Sequence, residues 1–350
     1  FYWYIATSQI YNPQSRAWEQ AASSYTARGY HTMTTLEDGR VLVAGGHNYT
    51  NGWLNTVELY YPWTDTWAYV DFMESGRGRH TATLLPGGNV LVTGGTSADV
   101  RTNSVEIFQT ALEEWATVAP MNAARTEHGA VLLQDGRVLV VGGYGETSYL
   151  SSAEIYDPAQ DTWTNAASMH QARYLHTTTL LQDGRVLVAG GYNMGAIGSA
   201  EVYDPATDTW TVVPSLDTAR YDHTATLLTD GTVLVAGGYT GAGYPTDTQL
   251  FDPAAMAWKS AAWLNNGRFD HTATLLPDGR VMVTGGYNGS IYLRVTELYN
   301  QIEGSWTAAS SMPSGRQDHT ATLLPDGRLL VVGGSDGNNL DSTLIFDPQT

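Results

Sequence analysis

Cysteine is absent from the 350-residue chain, and lysine occurs once, as Lys259. Without cysteine the protein has no disulfides, no thiolate metal sites and no cysteine nucleophile. The sequence also contains no run of about 18 apolar residues, so no segment is predicted to insert into a membrane. No stretch follows the 3.6-residue period of an amphipathic helix, which favours an all-β protein.

The charge is strongly negative, because 35 acidic residues oppose 17 basic ones and give a net charge of −18. Such a surface repels phosphate backbones and anionic lipids, which argues against nucleic acid or membrane partners. A cationic ligand, a metal ion or a basic partner protein fits the charge better. The acidic, lysine-poor composition leads us to predict an extracellular or cell-surface location.

Three markers recur with a common period, and their histidines are 47 to 49 residues apart. The histidines are His31, His80, His128, His176, His223, His271 and His319. Each is followed by a Gly-Gly pair, at 45–46, 94–95, 142–143, 190–191, 237–238, 285–286 and 333–334. The tryptophans are Trp18, Trp67, Trp115, Trp163, Trp210, Trp258 and Trp306. Agreement among three markers establishes seven sequence repeats.

Each repeat is predicted to form four strands, as the unit around His223 illustrates. Residues 223–228 are apolar and threonine-rich, and Asp230-Gly231 then gives a hairpin turn. Residues 233–236 are continuously apolar, which predicts a strand buried on both faces. A third strand around Phe251 and an outer strand at Trp258 complete the unit.

The apolar run before Gly-Gly, the aromatic residue that follows it and the tryptophan resemble kelch repeats, which form propeller blades. We therefore predict a seven-bladed β-propeller of four-stranded antiparallel kelch blades, as a single domain over residues 1–350. The last repeat reaches Phe346 without a tryptophan of its own. The strand around Trp18 is expected to complete that blade and close the ring.

One segment duplicates another in this scheme. Residues 9–13, Gln-Ile-Tyr-Asn-Pro, look like the third strand at residues 344–348, Leu-Ile-Phe-Asp-Pro. Only one of these segments fits a four-stranded blade. Either the second copy is displaced, or the chain belongs to a longer protein.

Residues that recur in every repeat are expected to serve the scaffold, whereas a single site requires asymmetry. An arginine precedes each histidine by three residues, and a glutamate recurs on most third strands. We predict buried arginine–glutamate pairs rather than an anion-binding ring, since a buried arginine needs such a partner. The histidines are predicted to be hydrogen-bonded structural residues, and the tryptophans to pack between blades.

The loops between the second and third strands depart most from the repeat. They are rich in aromatic residues, asparagine and glycine, which is typical of recognition surfaces. The predicted ligand-binding residues are Tyr49, Trp53, Tyr149, Tyr244 and Tyr292. The alternative is sequence drift in unconstrained loops.

The residue before each histidine also varies, and three successive repeats have an aspartate there: Asp222, Asp270 and Asp318. One interpretation is an acidic crescent at the channel mouth, where Ca²⁺ or a cationic group would find oxygen ligands. The interpretation that we favour is that each aspartate pairs with a nearby arginine or histidine. No cofactor is expected, and Ca²⁺ is the ion that the crescent would bind.

Residues 27–30, Ala-Arg-Gly-Tyr, and 38–41, Asp-Gly-Arg-Val, resemble the central propeller of galactose oxidase-like proteins. That resemblance implies a copper site with a tyrosine cross-linked to a cysteine, which this chain lacks. We therefore predict a non-catalytic scaffold that binds a protein or glycan through the variable loops. The alternative is a carboxylate-based hydrolase or lyase with its site at the channel mouth.

Overall fold

The computed structural model of the chain describes residues 4–12, 17–337 and 345–346. All regular structure in these ranges is β-strand, so the architecture is an all-β propeller. The described ranges include no helix of the length and apolarity needed to cross a membrane. The assignment of the whole chain to one domain stays a prediction.

Six continuous repeats each form a four-stranded antiparallel blade. The inner strands are Thr32–Thr35, Thr81–Leu84, Gly129–Leu132, Thr177–Leu180, Thr224–Leu227 and Thr272–Leu275. The second strands are Val41–Ala44, Val90–Thr93, Val138–Val141, Val186–Ala189, Val233–Ala236 and Val281–Thr284. The third strands are Val57–Tyr61, Val105–Gln109, Ala153–Asp157, Ala200–Asp204, Gln249–Asp252 and Thr296–Asn300. The outer strands are Thr66–Tyr69, Glu114–Val118, Thr162–Ala166, Thr209–Val213, Ala257–Ser260 and Ser305–Ala309.

The predicted count of seven four-stranded blades is wrong, because the described residues form six of them and a different, composite sheet. The composite sheet has five strands drawn from both parts of the chain. They are Thr320–Leu323, Leu329–Val332, Ser8–Asn12, Ala17–Gln20 and Ile345–Phe346. Ala17–Gln20, which contains Trp18, is its outer strand.

The composite sheet differs from a blade because two segments, Ser8–Asn12 and Ile345–Phe346, both pair with Leu329–Val332 in addition to its inner strand. Leu330 lies opposite Ile10 in one pairing and opposite Ile345 in another. The inner strand of the same sheet pairs with the other edge of Leu329–Val332. The two similar segments noticed in the sequence therefore both lie against this strand, and the sheet does not have the predicted four.

The inner strands contact one another in succession, and the composite sheet completes the ring. Second strands are buried at every position, since sheets cover both of their faces. Clusters form between successive sheets, as where Leu42 and Val57 pack with Val90 and Phe108 of the next blade. The core is thus a series of inter-blade layers around a channel, which accounts for the unbroken apolar runs in the sequence.

The repeated tryptophans fasten each sheet to its predecessor, as predicted. The indole nitrogen of Trp163 donates to the Ala119 carbonyl at 2.8 Å, and that of Trp258 donates to the Pro214 carbonyl at 2.7 Å. Trp18 donates to the Ser310 carbonyl at 3.2 Å, so the composite sheet is joined in the same way.

The Gly-Gly pairs allow close packing at the end of each second strand. Gly142 and Gly143 have φ values of 64° and 96°, in the left-handed region that favours glycine. A Cβ at Gly142 would lie 2.7 Å from both the Arg173 carbonyl oxygen and the His176 ring. The next repeat therefore needs glycine here to bring its arginine and histidine into place.

The buried arginine–glutamate pairs are confirmed. In the sixth blade, Arg268 donates to Glu297 at 2.5 Å and to the carbonyls of Gly285 and Val295 at 2.8 and 2.9 Å. Glu297 also accepts the backbone N–H groups of Asn265 and Asn266. Both side chains of the pair are fully buried. Each pair thus ties the loop that enters an inner strand to the third strand of the same blade.

The fifth blade keeps the arginine but changes its partner. Gln249 replaces the glutamate, and Arg220 forms its ion pair with Asp247, two residues earlier. Gln249 instead accepts the backbone N–H of Asp217 at 2.9 Å and donates to the Asp217 carboxylate. The buried guanidinium therefore retains a carboxylate where the sequence pattern breaks.

We expect Arg268→Met to destabilise the protein by about 3–5 kcal/mol, because it leaves the Glu297 carboxylate buried without its cation. Thermal unfolding followed by circular dichroism measures the effect. Arg280→Met in the same blade is the matched control, since Arg280 pairs with the partly exposed Asp278 in a hairpin. Equal melting temperatures for the two variants would contradict the structural role of the pair.

Candidate functional site

The histidines form contacts between neighbouring sheets around the channel. Six of them place Nε2 within 2.7–3.1 Å of a threonine hydroxyl in the preceding sheet. Gly129 replaces that threonine in the third blade, so His176 lacks the equivalent contact. The prediction that the histidines serve the scaffold is confirmed for these six.

Burial keeps the histidines neutral. Removal from water lowers the pKa of each imidazole, and the adjacent buried arginines lower it further. The pKa values of His80, His176, His223 and His319 fall to about 3. The walls of the channel therefore carry uncharged rings at neutral pH.

The residues immediately before these histidines form the channel mouth. They are Tyr30, Arg79, Glu127, Leu175, Asp222, Asp270 and Asp318. All seven have φ between 50° and 58°. Backbone N–H groups of Arg79 and Glu127 donate to the preceding member of the series at 2.9 and 3.1 Å, and three further steps are joined likewise. The mouth is thus a ring of mutually bonded left-handed residues.

None of these seven positions is glycine, although the left-handed conformation costs other residues about 1–2 kcal/mol. The side chains line a cavity of about 470 Å³, with five of the histidines forming its wall. The backbone of every repeat therefore presents one variable side chain to the same cavity.

One side of the cavity is occupied by the guanidinium of Arg79, which has both an anionic and an aromatic partner. Arg79 forms an ion pair with Glu127 at 2.7 Å, and its guanidinium lies 4.4 Å from the centre of the Tyr30 ring. A carboxylate and an aromatic face together stabilise a guanidinium by charge and by cation–π attraction.

The structure brings Asp222, Asp270 and Asp318 to the other side of this cavity. Among the described residues, the carboxylates of Asp222 and Asp270 form no hydrogen bond or ion pair. Asp318 accepts a hydrogen bond from Gln317 at 3.1 Å. The favoured expectation of local pairing with arginine or histidine is therefore wrong for Asp222 and Asp270.

Enclosure by protein shifts the titration of these carboxyls upward. It raises the pKa of Asp222 and Asp270 well above the usual range, and neighbouring negative charges raise it further. Enclosure also raises the pKa of Asp318, to about 6, although the Gln317 hydrogen bond and the Arg79 charge oppose it. The crescent thus combines poorly solvated carboxylates with mutual repulsion.

No group of three histidine, aspartate or glutamate side chains in the described ranges is arranged to hold a metal ion. The carboxylates surround the cavity instead of converging on one point. Binding of Ca²⁺ by the crescent stays a prediction.

Aromatic residues surround the mouth over several blades. Successive ring contacts with centroids 5.0–6.4 Å apart link Tyr144, Tyr149, Tyr174, Tyr192, Tyr221, Tyr239, Tyr244, Phe269, Tyr287 and Tyr292. We call this set the aromatic arc. Bridges such as Tyr174 with Tyr192 show that the variable loops and the loops entering the inner strands share one face, the variable-loop face.

The five aromatic residues predicted to bind ligand all lie on the variable-loop face, in two settings. Tyr149, Tyr244 and Tyr292 belong to the aromatic arc and pack against neighbouring loops. Trp53 covers Gly78 and donates to Asp99 at 2.8 Å, whereas Tyr49 is 53% exposed. Their role in binding stays a prediction.

A second cavity of about 470 Å³ adjoins the mouth and shares Arg79, Glu127 and Tyr174 with it. Trp53 and Arg101 also line it. The guanidinium of Arg101 lies 4.6 Å from the centre of the Tyr144 ring. The variable-loop face therefore has two adjoining cavities that share part of their walls.

The site residues predicted from the sequence do not include Tyr30, Arg79, Glu127 or Arg101. Tyr30, Arg79 and Glu127 occupy the same repeat position as the three aspartates, so this position was a signal that could have found them. Arg101 occurs in a variable loop without a repeat counterpart, and only the fold shows that it neighbours Tyr144.

The blades, the shared period and the variable mouth define a propeller built from kelch repeats. Residues 176–350 match a family model described as the KLHDC2/KLHL20/DRC7 Kelch-repeats domain. Residues 7–199 match one described as the Attractin/LZTR1 beta-propeller. The chain belongs to the kelch-repeat β-propeller family.

Solved structures support the fold. A fungal alcohol oxidase of the AA5 family, determined in complex with copper, aligns with 92% of this chain and 74% of its own, with a TM-score of 0.75 and 19% identity. At that identity the likeness concerns the fold alone. The comparison with curated protein sequences gave no match.

We expect acid to destabilise the protein below about pH 6.5, the ordinary histidine pKa. Between that pH and the lowered pKa values, the unfolded chain binds protons that the folded chain excludes. The raised pKa values of the mouth aspartates stabilise the folded protein in acid, but there are three such aspartates and seven histidines with lowered pKa values. Melting temperatures from pH 7.5 to pH 5 measure the balance.

The variant His80→Gln provides the matched comparison. Its melting temperature should differ less from that of the unmodified protein at pH 5 than at pH 7.5, because one titrating imidazole has been removed. A melting temperature that is constant over this range would show that the histidines are not protonated on unfolding.

Proposed function

We propose that this propeller is a non-catalytic scaffold that binds a protein partner through the variable-loop face. Kelch β-propeller domains mediate protein interactions, and the chain belongs to that family. The single observation that carries the proposal is the aromatic arc, because it surrounds a charged cavity on one face of the ring.

The opposite face supports this choice by contrast. We call it the hairpin face, since it carries the turns between inner and second strands. There Arg137 pairs with Asp135 and Arg185 pairs with Asp183, so these two hairpins neutralise their own charges. The variable-loop face instead combines aromatic residues with the acidic mouth, a composition that binding surfaces favour.

A protein partner fits this face better than a glycan does. Many rings of the aromatic arc pack edge-on against their neighbours, which limits the flat surface available for sugar stacking. A polypeptide would use the same surface through varied side chains and would complement the net charge of −18 with basic residues.

Photo-crosslinking tests which face binds. We expect p-benzoylphenylalanine at Tyr49 to capture a protein partner from native extract, identified by mass spectrometry and then confirmed with purified material. The same substitution at Trp63 is the matched control, because Trp63 is similarly exposed, in the same blade, on the hairpin face.

Two results would count against the proposal. Capture by Trp63 and not by Tyr49 would assign binding to the hairpin face. Glycan-array binding that Tyr49→Ala and Trp53→Ala abolish, without any purified protein partner, would make the ligand a glycan.

A carboxylate-based hydrolase or lyase is the second candidate. The observation that favours it is that Asp222, Asp270 and Asp318 line one cavity and have raised pKa values, which suit general acid catalysis near neutral pH. Such perturbed carboxyls in a cavity are typical of active sites, although structural clusters produce similar shifts.

Screening of glycoside, ester and polyuronate substrates tests this candidate. If it is correct, turnover should fall at least about 100-fold in Asp318→Asn, the contribution typical of a general acid. Asp326→Asn in a hairpin of the same repeat is the control. Turnover that survives Asp318→Asn would remove this carboxyl from the reaction.

A further inference from the structure

The mouth contains one guanidinium of its own. Arg79 places its guanidinium between the Glu127 carboxylate and the Tyr30 ring, and all three residues belong to the ring of left-handed positions. The cavity geometry is therefore compatible with a planar cation held by carboxylate and aromatic groups.

The remaining acidic residues of the mouth have no such cation. Asp222 and Asp270 are half-buried and line the cavity, yet no described residue donates a hydrogen bond to either carboxylate. An ionised carboxylate that is partly removed from water is stabilised by a cationic partner.

The charge of the cavity is unbalanced when all its groups are ionised. Glu127, Asp222, Asp270 and Asp318 contribute four negative charges, and Arg79 contributes the one positive charge among the lining residues. The histidines of the wall remain neutral because burial lowers their pKa. The excess negative charge lies on the side formed by the three aspartates.

We propose that the mouth receives the guanidinium of an arginine side chain from the protein partner, seated among Asp222, Asp270 and Asp318. This inference rests on the proposed function of the variable-loop face. The incoming arginine would lie opposite Arg79 and repeat its chemistry.

A guanidinium suits this arrangement better than a metal ion or an ammonium group. Its five N–H donors spread in a plane and reach carboxylates on several sides at once. In the described ranges, no three histidine, aspartate or glutamate side chains are grouped closely enough to hold a metal ion. Aromatic residues at the rim, such as Tyr221 and Phe269, complement the apolar stem of an arginine.

Calorimetric titration with N-acetyl-arginine amide tests the proposal, since this probe carries one cationic side chain and no charged termini. We expect saturable one-to-one binding to the intact protein at pH 7.5. N-acetyl-citrulline amide is the matched probe, because it has nearly the same shape without the charge, and it should not bind measurably.

The variant Asp270→Asn should weaken binding of the arginine probe about tenfold or more, as expected for loss of a charge-assisted hydrogen bond. Asparagine tolerates the left-handed conformation of this position, so the fold should be kept. Asp278→Asn, in a hairpin of the same blade, should leave the affinity unchanged. Melting temperatures of both variants check folding.

The pH dependence adds a second readout. Binding should release protons near pH 6, because a bound cation favours the ionised aspartates. Burial and the charge of Glu127 raise the pKa values of these aspartates, whereas the charge of Arg79 lowers them. Tyr30 and Gln317 also face Asp318. Calorimetry in buffers of different ionisation enthalpy measures this release, which should decline toward pH 8.

Equal binding of both probes, unchanged affinity in Asp270→Asn, or Ca²⁺ competing with the arginine probe would overturn the proposal. These outcomes differ from failure of the proposed function. Crosslinking at Tyr49 with no arginine binding would leave a partner-binding face whose mouth takes no arginine. Crosslinking confined to Trp63 would reject both.

Discussion

The buried pair between the repeated arginine and a third-strand carboxylate is the interaction on which the rest of the structure depends. In the sixth blade Arg268 donates hydrogen bonds to Glu297 and to the carbonyl of Gly285. A single guanidinium therefore joins the loop that enters the inner strand to the end of the second strand and to the third strand. Asp270 follows two residues later at the channel mouth. The same ion pair that holds a blade together therefore fixes the position of its site residue.

This arrangement separates stability from recognition. The arginine, histidine, tryptophan and Gly-Gly positions are repeated because every blade needs them. The left-handed residue before each histidine has a fixed backbone and a free choice of side chain, as Leu175 and Asp222 illustrate in successive blades. Asymmetry can accumulate at the mouth without changing the scaffold, which is how a symmetric ring acquires one distinctive site.

Much of the scaffold could be predicted because it follows from local and repeated patterns. Apolar runs predicted the second strands, Asp-Gly predicted the inner hairpins, and the arginine–glutamate pairs followed from the cost of a buried charge. The site was predicted in part. Asp222, Asp270 and Asp318 were recognised, but Arg79 and Glu127 were not, because their ion pair joins successive repeats and depends on the curvature of the ring.

The sequence by itself determined the period, the strand pattern and the residues that depart from the repeat, since these depend on interactions within one repeat. Only the tertiary structure decided how the ring closes, because Ile10 and Ile345 are far apart in sequence and both lie against Leu330. The prediction of seven equal four-stranded blades was wrong for this reason. The tertiary structure alone also showed that the mouth aspartates line one cavity, where partial burial and mutual repulsion raise their pKa values.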